Sequence, residues 1–203
     1  MLPRQTYSDD RFTPYAAAIG RATLAWNALH EALGLVLWAM TGEDDGVVAL
    51  AIWNSLKSDR TKRDILIAAS AAIYESKKWD FDNDDSAQID ISRLTKENLD
   101  ILFLCDSCTQ IEEDRNNAVH SPLLYNYADQ RVDPFSHQGN TRAQKLIGYD
   151  LLSSFDLLRE RAILLRDFAL SVEKSMRDER LPWPNRPELP GLKPTKRSRD
   201  RQC

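Results

Sequence analysis

Apolar residues recur at alternating steps of three and four along three stretches of this chain, the period of helices that bury one face. In the first stretch Tyr15, Ile19, Ala22, Trp26, Leu29, Leu33, Val36 and Met40 line up, with Ala25, Ala28, Ala32, Leu35 and Ala39 as a second stripe beside them. Thr13-Pro14 supplies an N-cap followed by proline at the first helical position, and Thr41-Gly42 supplies a stop. Two stripes on one helix predict burial on more than one side, which places it at the centre of a bundle. Residues 46–78 predict helix in two pieces, with Ser58 or Asp59 capping the second.

A further long helix is predicted to start near Ser92 or Thr95 and to run to about His120, where Pro122 biases Ser121 out of the helical region. Its seam is Ile101, Leu104, Cys108, Ile111, Arg115 and Ala118. The last helix repeats the pattern with Leu151, Phe155, Leu158, Ala162, Leu165, Ala169, Val172 and Met176. Between these two, Pro122, Pro134, Gly139 and Gly148 predict a long, mostly irregular connection over residues 121–148. From Leu181 onward the chain carries five of its nine prolines and can be neither helix nor sheet. The expectation is an all-α fold, an up-and-down helical bundle of four to five helices over residues 13–180. A Pro-rich basic tail, extended or disordered, follows at 181–203 and could grip a partner.

Composition narrows the class. At 203 residues, with 42% hydrophobic and 29% charged residues, the chain fits one globular domain with a real core. Residues 1–6 have no apolar leader, and the longest apolar stretch, residues 26–40, is interrupted by Asn27, His30 and Glu31. A cytoplasmic protein with no membrane span is expected. The cysteines, Cys105, Cys108 and Cys203, are odd in number, as suits a reducing compartment. Cys105 and Cys108 form a CxxC inside a predicted helix with no second pair, which reads as helix packing.

The formal net charge of −4 divides into +4 from Leu181 onward and −8 before it. An acidic body excludes strong non-specific nucleic-acid binding, which needs a basic face to displace counterions. Any RNA must be held in a local positive pocket or by the tail. The acidic run at 80–85 superficially suggests a calcium loop but has Asp85 where an EF-hand needs glycine and Ile91 where it needs glutamate. No clustered His and carboxylate ligands are evident, so no metal and no cofactor are expected.

The candidate chemistry lies in Arg115-Asn116-Asn117-Ala118-Val119-His120, at the end of the predicted helix. A fixed cation near a group that titrates around neutrality can bind a phosphate and move protons without a metal. Residues five apart are roughly 140° around a helix and about 7.5 Å along it, so Arg115 and His120 flank one groove without pointing the same way. His120 occupies the last turn, where the helix dipole favours a cation. Arg115 lies in line with an apolar seam, where a guanidinium is costly unless a carboxylate meets it or the seam opens into an anion pocket. The structural alternative has Asn116 paired with His120 and Arg115 bridged to Glu31 or another core carboxylate. Arg131 and His137 repeat the spacing loosely, but in a loop and without the asparagine. His30, beside Glu31, reads first as a packed or surface histidine.

With Asn116 directly after the arginine, the chain resembles the prokaryotic HEPN domains, helical bundles whose ribonuclease members carry R-N-x-x-x-H at the end of a long helix. The likeness covers most of residues 13–180 through the order of helices and a long first helix with Trp26 and Glu31. It implies a homodimer in which two copies of the motif make one composite site. It also implies metal-independent cleavage of RNA by attack of the ribose 2′-hydroxyl, with Arg115 on the phosphate, Asn116 orienting and His120 moving the proton. A toxin or a defence or stress-response ribonuclease under an antitoxin or regulatory protein would fit. In the HEPN toxins paired with a nucleotidyltransferase antitoxin the histidine is followed by x-Tyr, whereas here Ser121-Pro122 follow. The alternative in another class is a non-catalytic HEPN-like interaction and dimerisation module.

Overall fold

Each long seam of apolar residues becomes one helix. In a computed structural model that describes residues 10–75, 95–136 and 139–191, helix accounts for 72% of the described residues, in six α-helices beside one two-stranded sheet. The helices are α1 (Thr13–Thr41), α2 (Val47–Ser55), α3 (Asp59–Glu75), α4 (Lys96–His120), α5 (Thr141–Leu146) and α6 (Leu151–Arg177). The all-α architecture read from periodicity is the one the chain adopts, and α1 begins and ends at the residues that cap it in sequence. None of the described helices is long and apolar enough to cross a membrane.

The caps explain where the helices start. Ser58 Oγ accepts from the Thr61 N–H at 3.3 Å, Thr95 Oγ1 from that of Asn98 at 3.3 Å, and Asp150 Oδ1 from that of Ser153 at 3.2 Å. Each satisfies one of the donors that a first helical turn leaves open. The seams then go inside. Along α6, Leu151, Phe155, Leu158, Ala162, Leu165, Ala169 and Val172 are all buried. Each large side chain among them contributes about 1.5–3 kcal/mol relative to exposure.

The chain forms two compact units. The first takes in the described residues of 1–27, 110–163 and 189–203. Its core holds Ala18, Ala118, Leu151 and Phe155, with Tyr15, Ile19, Leu123, Leu146 and Leu152 packed against them. Here residues 121–148 depart from the irregular connection expected of them. Strands β1 (Leu123–Asn126) and β2 (Arg131–Pro134) pair antiparallel, with Leu123 opposite Pro134 and Asn126 opposite Arg131, and α5 follows. The hairpin escapes sequence reading because its turn contains no glycine. Asn126 Oδ1 shapes the turn instead, accepting from the N–H groups of Ala128 at 3.1 Å and Asp129 at 3.4 Å. Pro134 is tolerated because it ends its strand. The Phe135 N–H closes the stem on the Pro122 carbonyl at 2.8 Å. The Arg11 guanidinium lies 4.0 Å from the Tyr125 ring centre and 5.2 Å from that of Tyr127.

The second unit takes in the described residues of 28–109 and 164–188. Leu29, Leu33, Val36, Trp53, Leu66, Ile101, Leu104, Leu165 and Phe168 are buried in it. Gly34 lets α2 approach α1, because a Cβ there would stand 2.8 Å from the Trp53 indole. Cys105 and Cys108 are both buried, which agrees with reading their CxxC as packing. Burial pushes the Cys105 thiol up to about 12, far from a reactive thiolate.

Residues 182–191 form neither helix nor strand, as their prolines lead one to expect. Within the second unit the segment docks on the start of α4, where buried Asp100 accepts hydrogen bonds from Lys96 at 2.8 Å, from the Trp183 indole at 2.7 Å and from Arg186. Arg186 also covers the Phe103 ring, its guanidinium carbon 4.9 Å from the centroid. Arg186 is thus committed to the fold. The acidic run at 80–85, His137, Cys203 and the five remaining basic residues of the tail, Lys193, Lys196, Arg197, Arg199 and Arg201, lie outside the described residues.

Candidate functional site

Helix α4 carries the sequence motif into the first unit and ends on it. Ile111 and Ala118 continue the seam inward, and between them Arg115 is half-buried. Its Nη1 donates to Asn116 Oδ1 at 2.9 Å, while its Nε is buried without an acceptor. Among the described residues no carboxylate pairs with Arg115, so the core ion pair that would have made it purely structural is not formed.

Asn116 is half-buried and engaged by Arg115 rather than by His120. The alternative i, i+4 pairing is therefore not the one present. His120, the last residue of α4, is exposed, and its imidazole makes no hydrogen bond among the described residues. The next hydroxyl, Ser121 Oγ, is buried and unpartnered. The end of α4 thus gathers an un-neutralised guanidinium, an amide that orients it, and an imidazole open to solvent.

The other candidates resolve differently. His30 is 4% exposed, with Nε2 3.9 Å from Asp59, a packed histidine of the second unit. Arg131 is bound to Asp129 and Asp133 on its own hairpin. Among the described residues no group of three His, Cys, Asp or Glu side chains is placed to hold a metal ion.

Sequence reading missed a cavity of about 270 Å³ in the same unit. It opens on the face of α4 that carries Asp114, Asn117 and Ala118, and α6 supplies Phe155, Leu158 and Arg161. Arg115 is not among its lining residues, since each helical step turns roughly 100° and takes the motif arginine away from this face. The anion pocket considered for Arg115 therefore has a different arginine. Arg161 is 4% exposed; its Nη1 donates to the Pro190 carbonyl at 2.8 Å, and its Nε is buried without an acceptor. Burial pulls the Arg161 pKa down, and Asp114 offsets part of that effect. Burial and the adjacent Glu113 hold the Asp114 carboxyl above the usual carboxylate range, against Arg161 and Lys145. The available signal was an arginine beside Ala162 in the buried seam of α6.

Comparison with protein families, with curated proteins and with solved structures gives no match to this chain.

Proposed function

We propose that this chain is a metal-independent endoribonuclease of the HEPN kind, working as a homodimer in which two copies of Arg115, Asn116 and His120 form one composite site. One observation carries the reading: a half-buried arginine, bonded to the neighbouring asparagine and paired with no carboxylate among the described residues, at the same helix end as an exposed histidine. A guanidinium held this way is a phosphate ligand waiting for its anion.

In the proposed reaction the ribose 2′-hydroxyl attacks the adjacent phosphorus as His120 accepts its proton. The 2′-O–P bond forms, the P–O5′ bond breaks, and the 5′-oxygen leaves after taking a proton, which a second His120 in the composite site would deliver. The products are a 2′,3′-cyclic phosphate and a 5′-hydroxyl. Arg115 offsets the charge that builds on the non-bridging oxygens, and Asn116 keeps the guanidinium aimed. Tyr127, exposed on the hairpin that follows His120, offers an aromatic ring on which a base can stack. An antitoxin or regulatory protein that covers this helix end would control the activity.

The test is cleavage of single-stranded RNA by purified protein in EDTA, beside Arg115→Ala and His120→Ala. Loss of cleavage in both, with each variant still dimeric and folded, supports the proposal. Uncleaved RNA with the wild-type dimer would sink it.

A second reading, a non-catalytic interaction module, has its own support. Helix α2 turns Val47, Val48 and Ile52 outward at 63%, 59% and 47% exposure, an apolar strip suited to a partner surface. On that reading Val48→Asp abolishes an association that His120→Ala leaves intact, and no RNA is cut.

A further inference from the structure

The cavity beside α4 presents a problem of charge that the proposed ribonuclease does not use. Arg161 is almost wholly buried, yet no carboxylate lies within ion-pair distance of it among the described residues. Its partner is a backbone carbonyl, that of Pro190, which leaves Nε unbonded. A buried cation without a counter-ion is costly, so something must compensate. Asp114 is nearby and offsets part of that cost, but from beyond ion-pair distance. Lys145 pairs with Glu113 at the solvent edge, so these two cancel each other.

What remains is one buried positive charge facing a cavity of mixed walls, where Leu146, Phe155 and Leu158 stand beside Asp114, Asn117 and Ser154. Asn117, 4% exposed, adds a buried amide to the polar end. A pocket that offers apolar side chains to a ligand's body and polar groups to orient it is suited to a small molecule, and about 270 Å³ suits a ligand below drug size. The planar guanidinium edge matches the two oxygens of a carboxylate. A phosphate dianion would bring two charges to a single arginine.

We infer that this cavity is a binding site for a small organic carboxylate, its oxygens on the Arg161 guanidinium and the Asn117 amide, and its apolar body against Leu146, Phe155 and Leu158. The site stands apart from the ribonuclease reading, since it shares none of Arg115, Asn116 and His120.

The experiment is calorimetric and thermal-shift titration of the full chain with 3-phenylpropionate, 3-phenylpropionamide and phenyl phosphate. The carboxylate is expected to bind and to raise Tm in proportion to its concentration, with the amide and the phosphate each weaker by about tenfold or more. Arg161→Met should erase the preference for carboxylate over amide. Because Arg161→Met also removes the bond to Pro190, Ser154→Phe, a half-buried lining position, serves as the second variant: it obstructs the cavity with Arg161 intact and should abolish binding at an unchanged unliganded Tm. Equal binding of carboxylate and amide, a tighter phosphate, binding that survives Ser154→Phe, or no binding by ~10 mM, weaker than any affinity a built site would show, overturns the inference.

Discussion

The indole N–H of Trp183 reaches Asp100 Oδ2 at 2.7 Å across 83 residues of chain, and so fixes a proline-rich segment to the first turn of α4. Asp100 is 1% exposed, and Lys96 and Arg186 complete its shell. Replacing it with alanine removes the common acceptor of three donors. The expected cost is about 2–3 kcal/mol, below the ~3–5 kcal/mol of fully buried pairs because Lys96 and Arg186 can turn to water. Trp183→Phe, which keeps the ring and loses the donor, should cost about 1–2 kcal/mol. Urea titration measures both.

The same carboxylate sets a pH dependence. Burial raises the Asp100 pKa, but hydrogen bonds from Lys96, Arg186 and Trp183 and the charge of Arg186 outweigh it and leave the group below its ordinary value of 3.8. A carboxyl depressed in the folded state contributes stability that is present above the unfolded pKa and lost as pH falls through the folded one. The stability gap between wild type and Asp100→Asn should therefore hold constant above about pH 5 and narrow below about pH 4. A gap that widens on acidification would contradict the assignment.

Two glycines of α1 make a paired test. Alanine at Gly20 meets nothing within 4 Å, so its better helix propensity should add about 0.5–1 kcal/mol. At Gly34 the same gain opposes contacts of 2.8 Å with the Trp53 indole, and overpacking of about 1–3 kcal/mol should win. Thermal melts of the two variants are expected to shift in opposite directions.

His120 separates catalysis from folding. Its side chain is exposed and unbonded, so alanine there should change stability by under about 0.5 kcal/mol. Under the proposed mechanism the same change should slow RNA cleavage by about 10²–10⁴-fold. A variant that melts several degrees lower would point to a structural role instead.

The thiols give an independent check on the helix core. In a Cys203→Ser background, Cys105 and Cys108 should stay unmodified by a thiol reagent at about pH 8, since both are buried and the Cys105 thiolate is strongly disfavoured. Both should react once the chain is unfolded. Rapid labelling of the native protein would show that α4 packs more loosely than described.

What sequence made legible, and what it hid, follows from the range of the interactions. Seams and caps are local, so Leu151 through Val172, Ser58 and Thr95 announced their helices within a few residues. The hairpin at Leu123–Asn126 and Arg131–Pro134 was hidden because strands of four residues carry almost no period. The Asp100 cluster joins residues 83 and 86 apart, which no local pattern encodes. Arg115 stood out because it interrupts a seam. Arg161 stands beside a seam and not in it, and its burial depends on Pro190 and on the cavity wall, neither of which is local.

The closure of the hairpin stem on Pro122, two residues after His120, leaves that histidine as a free rotor on a fixed mount. Its main chain is held by the last turn of α4 on one side and near the Phe135 to Pro122 bond on the other, while its ring can still sample its rotamers. A ligand that captures the ring therefore has to still only side-chain torsions, at about 0.5–1.5 kcal/mol, with no backbone ordering to add. Whatever meets the end of α4 is met by a group whose position is already set and whose aim is not.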